Sequence, residues 1–343
     1  MLFSIYRIFL MLGPECNLQC KYCLQHDMAS TSSKQISQEV IHWIKTQVRS
    51  QSSKFTITFY GGEPLIYWDA IQQTIREIGD VVSFSIITNG KLLDEDKVNY
   101  LNDHNVHVAV SWDGKNVMET RGYDVLKNNP NIAYINNLSI SAVSSKANYP
   151  KDFLDSLEPF MQTYYEIHHS YPGLNIDTIM DFGHCADLAD MDCDKIYQQM
   201  QEIVATDNRI YHLFKRDLIR RATLYFPHDT DRAACGNGIS VWNVDNVDTD
   251  GNIYRCHNCG EKIGSIDDDP INALIRVVRK DPTEENFKIC KECPVVSLCG
   301  GGCPLVNQVD RERYYCKIKR SYYLPLIEYA NRKNEAGKEI VIQ

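Results

Sequence analysis

Cys16, Cys20 and Cys23 stand in the spacing C-x3-C-x2-C within Gly13-Pro14-Glu15-Cys16-Asn17-Leu18-Gln19-Cys20-Lys21-Tyr22-Cys23. Three close thiolates can bind three irons of a [4Fe–4S] cube and leave the fourth iron open to a small chelating molecule, which suits chemistry as well as electron storage. Taken alone, the triplet also reads as a structural zinc knuckle or three buried thiols. Eight further cysteines lie downstream: Cys235, Cys256, Cys259, Cys290, Cys293, Cys299, Cys303 and Cys316. From Cys290 they are spaced C-x2-C-x5-C-x3-C, and Cys235 is followed after fifteen residues by Gly251 and after four more by Cys256. Eight thiolates suffice for two fully ligated [4Fe–4S] clusters, although C-x2-C pairs also build zinc ribbons. Cys185 and Cys193 fit neither pattern and read as plain buried or surface thiols.

The elements that must position these residues are legible as periodicity. Phe3–Leu12, Lys54–Tyr60, Val82–Thr88, Val106–Ser111, Leu138–Val143 and Leu174–Met180 read as strands. Helices are expected from Ser37 to Ser50, from Ile66 to Gly79, from Leu93 to Asn102 and near Pro150–His168. Asp192–Phe226 looks helical. A last helix is expected over Ile318–Arg332, interrupted by Pro325, with a loose tail after Glu335. Strands alternating with helices imply parallel βα units, whose function gathers at the C-terminal ends of the strands. The unusual residues fall there: the cysteine loop, Gly61-Gly62-Glu63-Pro64, Asn89-Gly90 and Ser111-Trp112-Asp113-Gly114. A change of texture near Phe226–Arg232, where glycine and cysteine become dense, marks a domain boundary.

The chain of 343 residues suits one large domain and a smaller one, and 43% hydrophobic content supports a sizeable core. A net charge of −9 argues against a nucleic-acid partner. Leu2–Leu12 contains Arg7 and reads as a buried strand rather than a signal peptide. No apolar run approaches the roughly 20 residues that a membrane span needs. Thiolate clusters need a reducing compartment, so a cytoplasmic protein is expected, with a monomer as the default.

The first cysteine motif, with the aromatic Tyr22 before its last cysteine, resembles the signature of the radical S-adenosylmethionine (radical SAM) superfamily. The downstream cysteines resemble the SPASM domain, the C-terminal extension of members that mature peptides and proteins. The implied fold is α/β: a partial (β/α)6 TIM-type barrel over residues 1–228, a small cysteine-rich auxiliary-cluster domain over 229–320, and a C-terminal helix and tail over 321–343. The implied cofactors are three [4Fe–4S] clusters and S-adenosylmethionine (SAM). Cys16, Cys20 and Cys23 would hold the SAM cluster. By resemblance, Cys290, Cys293, Cys299 and Cys316 bind an outer cluster, and Cys303, Cys235 and Cys256 an inner one. Relatives often supply a fourth inner cysteine where this chain has Gly236-Asn237-Gly238. Cys259 is the natural replacement, or it stays free and the inner cluster keeps an open iron.

The resemblance also implies roles in the SAM pocket. Glu63, with Gly61 and Gly62 beside it, would hold the methionine ammonium, since glycines admit a ligand and a carboxylate pairs with an ammonium. Ser111 would lie near SAM, Arg121 would pair with its carboxylate, and Tyr22 would lie along the adenine. The implied reaction is reductive cleavage of SAM to a 5′-deoxyadenosyl radical that removes hydrogen from an unactivated carbon, with flavodoxin or ferredoxin as reductant. The expected substrate is a small ribosomally made precursor peptide, crosslinked within itself through a thioether or carbon–carbon bond. Formylglycine generation on a sulfatase, peptide epimerisation and a zinc-bound binding module are the alternatives. In sulfatase-maturing relatives an aspartate follows the cysteine matching Cys256, and here His257 stands there as the candidate base, with Asp245, Asp248 and Tyr254 as further candidates. Only fifteen residues precede Cys16, so leader recognition is expected to use the barrel or a separate protein.

Overall fold

Along the first strand, Ile8, Leu10 and Leu12 join the main apolar cluster, while Arg7, Phe9 and Met11 between them turn to the opposite face. That alternation sets the architecture, in which one face of the sheet packs on helices and the other lines a central space. The computed structural model describes residues 6–25, 35–50, 55–224, 234–235, 239–240, 244–269, 271–272, 289–303 and 305–335. The six expected strands are present: β1 (Tyr6–Met11), β2 (Phe55–Tyr60), β3 (Ser83–Thr88), β4 (His107–Ser111), β5 (Leu138–Ser144) and β6 (Gly173–Thr178). They lie side by side in chain order, each parallel to the next.

Helices α1 (Gln38–Ser50), α2 (Trp68–Ile78) and α3 (Glu95–Asp103) follow the first three strands. They bury Val40, Ile41 and Ile44, then Ile71, Ile75 and Ile78, then Val98 and Leu101 against the sheet. The β4–β5 crossover is made only of short turns, α4 (Val117–Thr120) and α5 (Val125–Asn128) with a 3-10 turn over Pro130–Tyr134. Helix α6 (Pro150–His168) begins with Pro150, whose missing N–H costs nothing at a helix start, and buries Phe153, Leu154, Leu157, Met161 and Tyr164. The stretch expected as one helix after Asp192 divides, beyond the short α7 (Ala186–Ala189), into α8 (Cys193–Ala205) and α9 (Arg209–Leu224). The break has a local cause. Asn208 Oδ1 accepts from the amides of Ile210 and Tyr211 and starts a new helix.

Beyond β7 (Ala234–Cys235) and β8 (Ile239–Ser240), strands β9 (Val244–Asp248), β10 (Asn252–Cys256) and β11 (Cys259–Ser265) do not form a sheet of their own. Strand β9 pairs in parallel with β1, and β10 and β11 continue antiparallel, giving the order β11-β10-β9-β1-β2-β3-β4-β5-β6. After the short helices α10 (Val296–Cys299) and α11 (Gln308–Asp310), a π turn over Arg311–Tyr315 leads into α12 (Cys316–Glu335). Pro325 does not interrupt α12, which runs through it. The helix returns to the β5–β6 side, where Tyr322 donates to Ser144 and Tyr197 of α8 donates to Glu328. The texture change near Phe226–Arg232 and the tail beyond Glu335 lie outside the described residues. No helix among the described residues is long and apolar enough to cross a membrane.

Candidate active site

The first cysteine loop is fixed along its whole length by its neighbours. Gly62 N donates to Gly13 O at 2.8 Å, and Glu63 N to Glu15 O at 2.8 Å. Glu15 N donates to Tyr67 Oη at 3.0 Å, and Lys21 N to Thr120 O at 2.9 Å. The glycines of Gly61-Gly62 serve this contact. A Cβ on Gly61 would meet Gly13 O at 2.5 Å, and one on Gly62 would meet Pro14 O and Glu15 O at 2.4 Å. Close approach of two main chains therefore needs glycine here, besides any need of a ligand. Cys20 and Cys23 close a turn, with Cys23 N donating to Cys20 O at 3.2 Å. The three thiols lie close enough for Cys23 to disfavour the charge of Cys16, and for both to disfavour that of Cys20. Burial pushes the Cys20 thiol up to about 11, against the pull of Arg121.

Glu63 lies at the end of β2 and is 1% exposed. Its Oε1 accepts from Leu65 N at 3.0 Å and Thr88 Oγ1 at 2.6 Å, and its Oε2 accepts from Asn89 N at 2.7 Å. Burial raises its pKa and these donors lower it. The carboxylate thus ties β2 to the end of β3. Asn89 then directs Nδ2 to Asn17 Oδ1 at 2.8 Å and toward Cys16 Sγ at 3.9 Å. Sequence reasoning took Asn89-Gly90 only as a strand-end turn and missed this contact.

Asp113, fully buried after β4, gathers the opposite side of the loop. Its Oδ2 accepts from Tyr22 Oη, from Thr120 Oγ1 at 2.8 Å and from Arg121 Nε at 3.0 Å. Its Oδ1 accepts from Arg121 Nη2 at 3.3 Å and Val143 N at 3.1 Å. Arg121 was expected against the SAM carboxylate, but here its ion pair is with Asp113. Its side chain is 11% exposed, and the guanidinium carbon lies 5.4 Å from the centre of the Tyr22 ring. Burial works against that charge, but Asp113 overrides it and keeps Arg121 protonated. Tyr22, expected along the adenine, is a buried link between Cys20-Lys21 and Asp113, and burial drives its pKa well up. Ser111 is half-buried at the C-terminal end of β4, where it pairs with Ser141 in the middle of β5.

The registers place Phe9, Thr58 and Asn246 in one row across the sheet and Met11, Tyr60 and Asp248 in the next. His257 packs onto this face. It stacks on Phe9 with centroids 4.0 Å apart, stands edge-on to Tyr60 at 4.7 Å, and places Nδ1 3.3 Å from Asn246 Oδ1. Burial, with the charge of Arg7 second, pushes its pKa down to about 3. The candidate base is therefore a neutral ring, held in an aromatic stack. Tyr60 Oη donates to Asn258 Oδ1 at 2.7 Å, and Gln25 Nε2 to His257 O at 2.8 Å, so the His257-Asn258 turn is fastened to the first cysteine loop. Cys256 and Cys259 face each other across that turn. Asp248 accepts from Asp250 N, Asn252 N, Asn252 Nδ2 and Tyr254 Oη, which occupies it in closing the β9–β10 turn. Asp245 is buried.

Cys290, Cys293, Cys299 and Cys316 line one pocket with Val295, Tyr315 and Lys319. Cys293 N donates to Cys290 O at 3.1 Å, the same turn that joins Cys20 and Cys23. Four thiols around one pocket, and three on one loop, are donor sets that suit iron–sulfur cubes. Among the described residues no group of three or more Cys, His, Asp or Glu is drawn onto a single metal ion. The cysteines other than Cys235 are free thiols. Cys185 is buried beside Asp181 and Cys193 starts α8, both apart from these sets.

Comparison with known proteins agrees with this geometry. Residues 10–124 match the Radical SAM superfamily. The radical SAM cyclopropyl synthase TigE of Paramaledivibacter caminithermalis is 23% identical over 338 residues, covering 88% of this chain and 68% of that protein. The serine-type anaerobic sulfatase-maturating enzyme of Klebsiella aerogenes is 21% identical, covering 85% of this chain and 78% of that protein. Among solved structures, anSMEcpe with bound AdoMet and a peptide superposes with a TM-score of 0.70 at 17% identity, over 97% of this chain and 99% of that one. Streptococcus suis SuiB bound to its precursor peptide SuiA gives 0.58 at 15% identity, over 88% and 72%.

Proposed function

Because this chain is a radical SAM enzyme, we propose that it matures a ribosomally made precursor peptide by forming an intramolecular crosslink, thioether or carbon–carbon. Cys16, Cys20 and Cys23 would hold a [4Fe–4S] cluster, which together with SAM would supply the radical chemistry that removes hydrogen from the substrate. The residues around it have supporting tasks. Asp113 and Glu63 fix the cysteine loop from two sides, the Gly61-Gly62 contact sets the floor, and Ser111 would lie near SAM. A crosslink must also release an electron and a proton. The C-terminal cysteines would hold two further [4Fe–4S] clusters as acceptors of that electron, with Cys259 completing the inner set. In this reading residues 1–228 are the radical SAM barrel, 229–320 the auxiliary-cluster domain and 321–343 the closing helix and tail. Flavodoxin or ferredoxin is the reductant, and the leader of the peptide binds the barrel or a separate protein.

The observation that carries this reading is the pocket lined by Cys290, Cys293, Cys299 and Cys316, together with the Cys256–Cys259 turn fastened to the first cysteine loop through Gln25. An electron route beside the SAM site is what an oxidative crosslink requires. The likeness to TigE supports it further, since a cyclopropyl group is closed by a carbon–carbon bond. The likeness to anaerobic sulfatase-maturating enzymes favours formylglycine generation as a second reading. Histidine in place of aspartate after Cys256, buried and neutral, speaks against transferring that chemistry unchanged.

The test is anaerobic co-expression with the short open reading frames beside its gene, followed by mass spectrometry of the peptides. A peptide lighter by two hydrogens, absent when Cys16, Cys20 and Cys23 are all changed to Ala, is the expected result. An aldehyde on a co-expressed sulfatase would replace this reading with the second one. An unchanged mass with one inverted residue would indicate epimerisation instead.

A further inference from the structure

Arg311 is a fully buried arginine that holds the chain between Cys299 and Cys303. Its Nε donates to Val306 O at 2.9 Å, its Nη1 to Gly301 O at 2.7 Å, and its Nη2 to Cys303 O. The chain that it grips is unusual. Gly300, Gly301 and Gly302 have φ of +62°, +84° and +70°, three successive left-handed residues that only glycine adopts readily. That turn leaves Cys299 in the pocket with Cys290, Cys293 and Cys316, whereas Cys303 does not line it. Arg311 holds the turn by its carbonyls and brings its charge to both sides. Gly301, whose carbonyl it holds, lines that pocket, and Cys303, whose carbonyl it also holds, lies outside it, so the guanidinium grips the chain on both sides of the turn. Lys319 lines the pocket as well, but it and Arg320 are part-exposed, whereas Arg311 is fully buried and its charge is the least screened.

We propose that Arg311 is a shared positioning residue for both auxiliary clusters, whose buried charge raises their reduction potentials so that they accept the electron leaving the substrate. This rests on the reading of the C-terminal cysteines as two [4Fe–4S] sites. Cluster potentials respond to net charge and hydrogen bonding around the ligands, and a positive charge in a poorly screened site stabilises the added electron.

The test begins from a parent protein with Cys16, Cys20 and Cys23 changed to Ala, so that only auxiliary clusters report. Iron and sulfide analysis and a redox titration followed by electron paramagnetic resonance compare this parent with Arg311→Gln and Arg311→Lys. The parent should hold about eight irons. In Arg311→Gln the ratio of reduced to oxidised cluster at a fixed potential should fall about tenfold, a midpoint lower by about 59 mV for one electron. Arg311→Lys keeps the charge and should stay near the parent. Unchanged midpoints in Arg311→Gln at full iron, or an equal fall in both variants, would overturn the proposal. If Arg311→Gln does not retain its iron, Arg311→Lys decides: iron kept by lysine alone supports the charge, and equal loss in both reduces Arg311 to a structural clamp. A parent without auxiliary iron overturns the two-cluster reading itself, and the inference with it.

Discussion

Asp113 carries five hydrogen bonds on two oxygens, and four of the donors come from Tyr22, Thr120 and Arg121. Asp113→Asn would turn an amide toward some of those donors and leave the Arg121 guanidinium, 11% exposed, without its counter-charge. Breaking a buried pair in this way costs about 3–5 kcal/mol. The variant should unfold at lower urea and lose about four irons, the content of one [4Fe–4S] cluster, as Tyr22 releases the Cys20–Cys23 turn. Anaerobic iron analysis beside urea titration checks this, and full iron at wild-type stability would show that the loop does not depend on Asp113. The sequence made the cysteines, Glu63 and the Ser111-Trp112-Asp113-Gly114 strand end visible, because spacing and glycine mark them. It could not show that Arg121 pairs with Asp113 or that Tyr22 reaches the same carboxylate 91 positions away, because those partners meet only in the fold.

The six barrel strands were legible because burial on one face imposes period-two alternation and each strand ends in residues that turn. The helices were legible from their apolar stripes, down to Pro150 at the start of α6. Less legible were features decided by packing. One capping asparagine, Asn208, divides α8 from α9, and contacts with α8 and Ser144 hold α12 through Pro325. Asp181, just past β6, belongs to the same class. Its Oδ1 accepts from the amides of Gly183, His184 and Cys185, and its Oδ2 lies 3.5 Å from Arg313 Nη2. Burial disfavours its charge, yet those donors outweigh burial and hold the carboxyl below its ordinary value. The folded pKa is depressed, so the unfolded chain binds more protons and stability rises with pH across that window. The stabilisation is complete above the ordinary aspartate range and is lost as pH falls through the folded value. Asp181→Asn should remove that acid-side slope and cost about 1–3 kcal/mol at neutral pH. Urea titrations from neutral pH to about 3, through the reference aspartate value near 3.9, would read both, and parallel curves for the two proteins would refute the assignment.

At the scale of the whole molecule, the cysteine-rich segment is attached to the barrel at both ends of the sheet. Strands β9–β11 continue the sheet from β1, and α12 packs on α8 and reaches β5 through Tyr322 and Ser144. Between those attachments, Asp181 N donates to Tyr314 Oη at 2.8 Å, which brings the π turn carrying Arg311 to the mouth of the barrel. Under the proposed function, such a clasp would separate two tasks in space: SAM cleavage at the first cysteine loop and electron removal at the C-terminal cysteines. The separation has a measurable consequence. Changing Cys290 and Cys316 together to Ser should lower iron by about four and leave the first loop intact, because its fastenings run to Gly62, Glu63, Tyr67, Asp113 and Thr120. Reduced protein should then still cleave SAM in the absence of peptide, while crosslinked peptide falls at least tenfold, about 1.4 kcal/mol in barrier terms. Anaerobic assays of 5′-deoxyadenosine and of peptide mass on the same preparation would show the split. Loss of both activities together would mean that the outer pocket holds the barrel in shape, and undiminished crosslinking would mean that the electron leaves by another route.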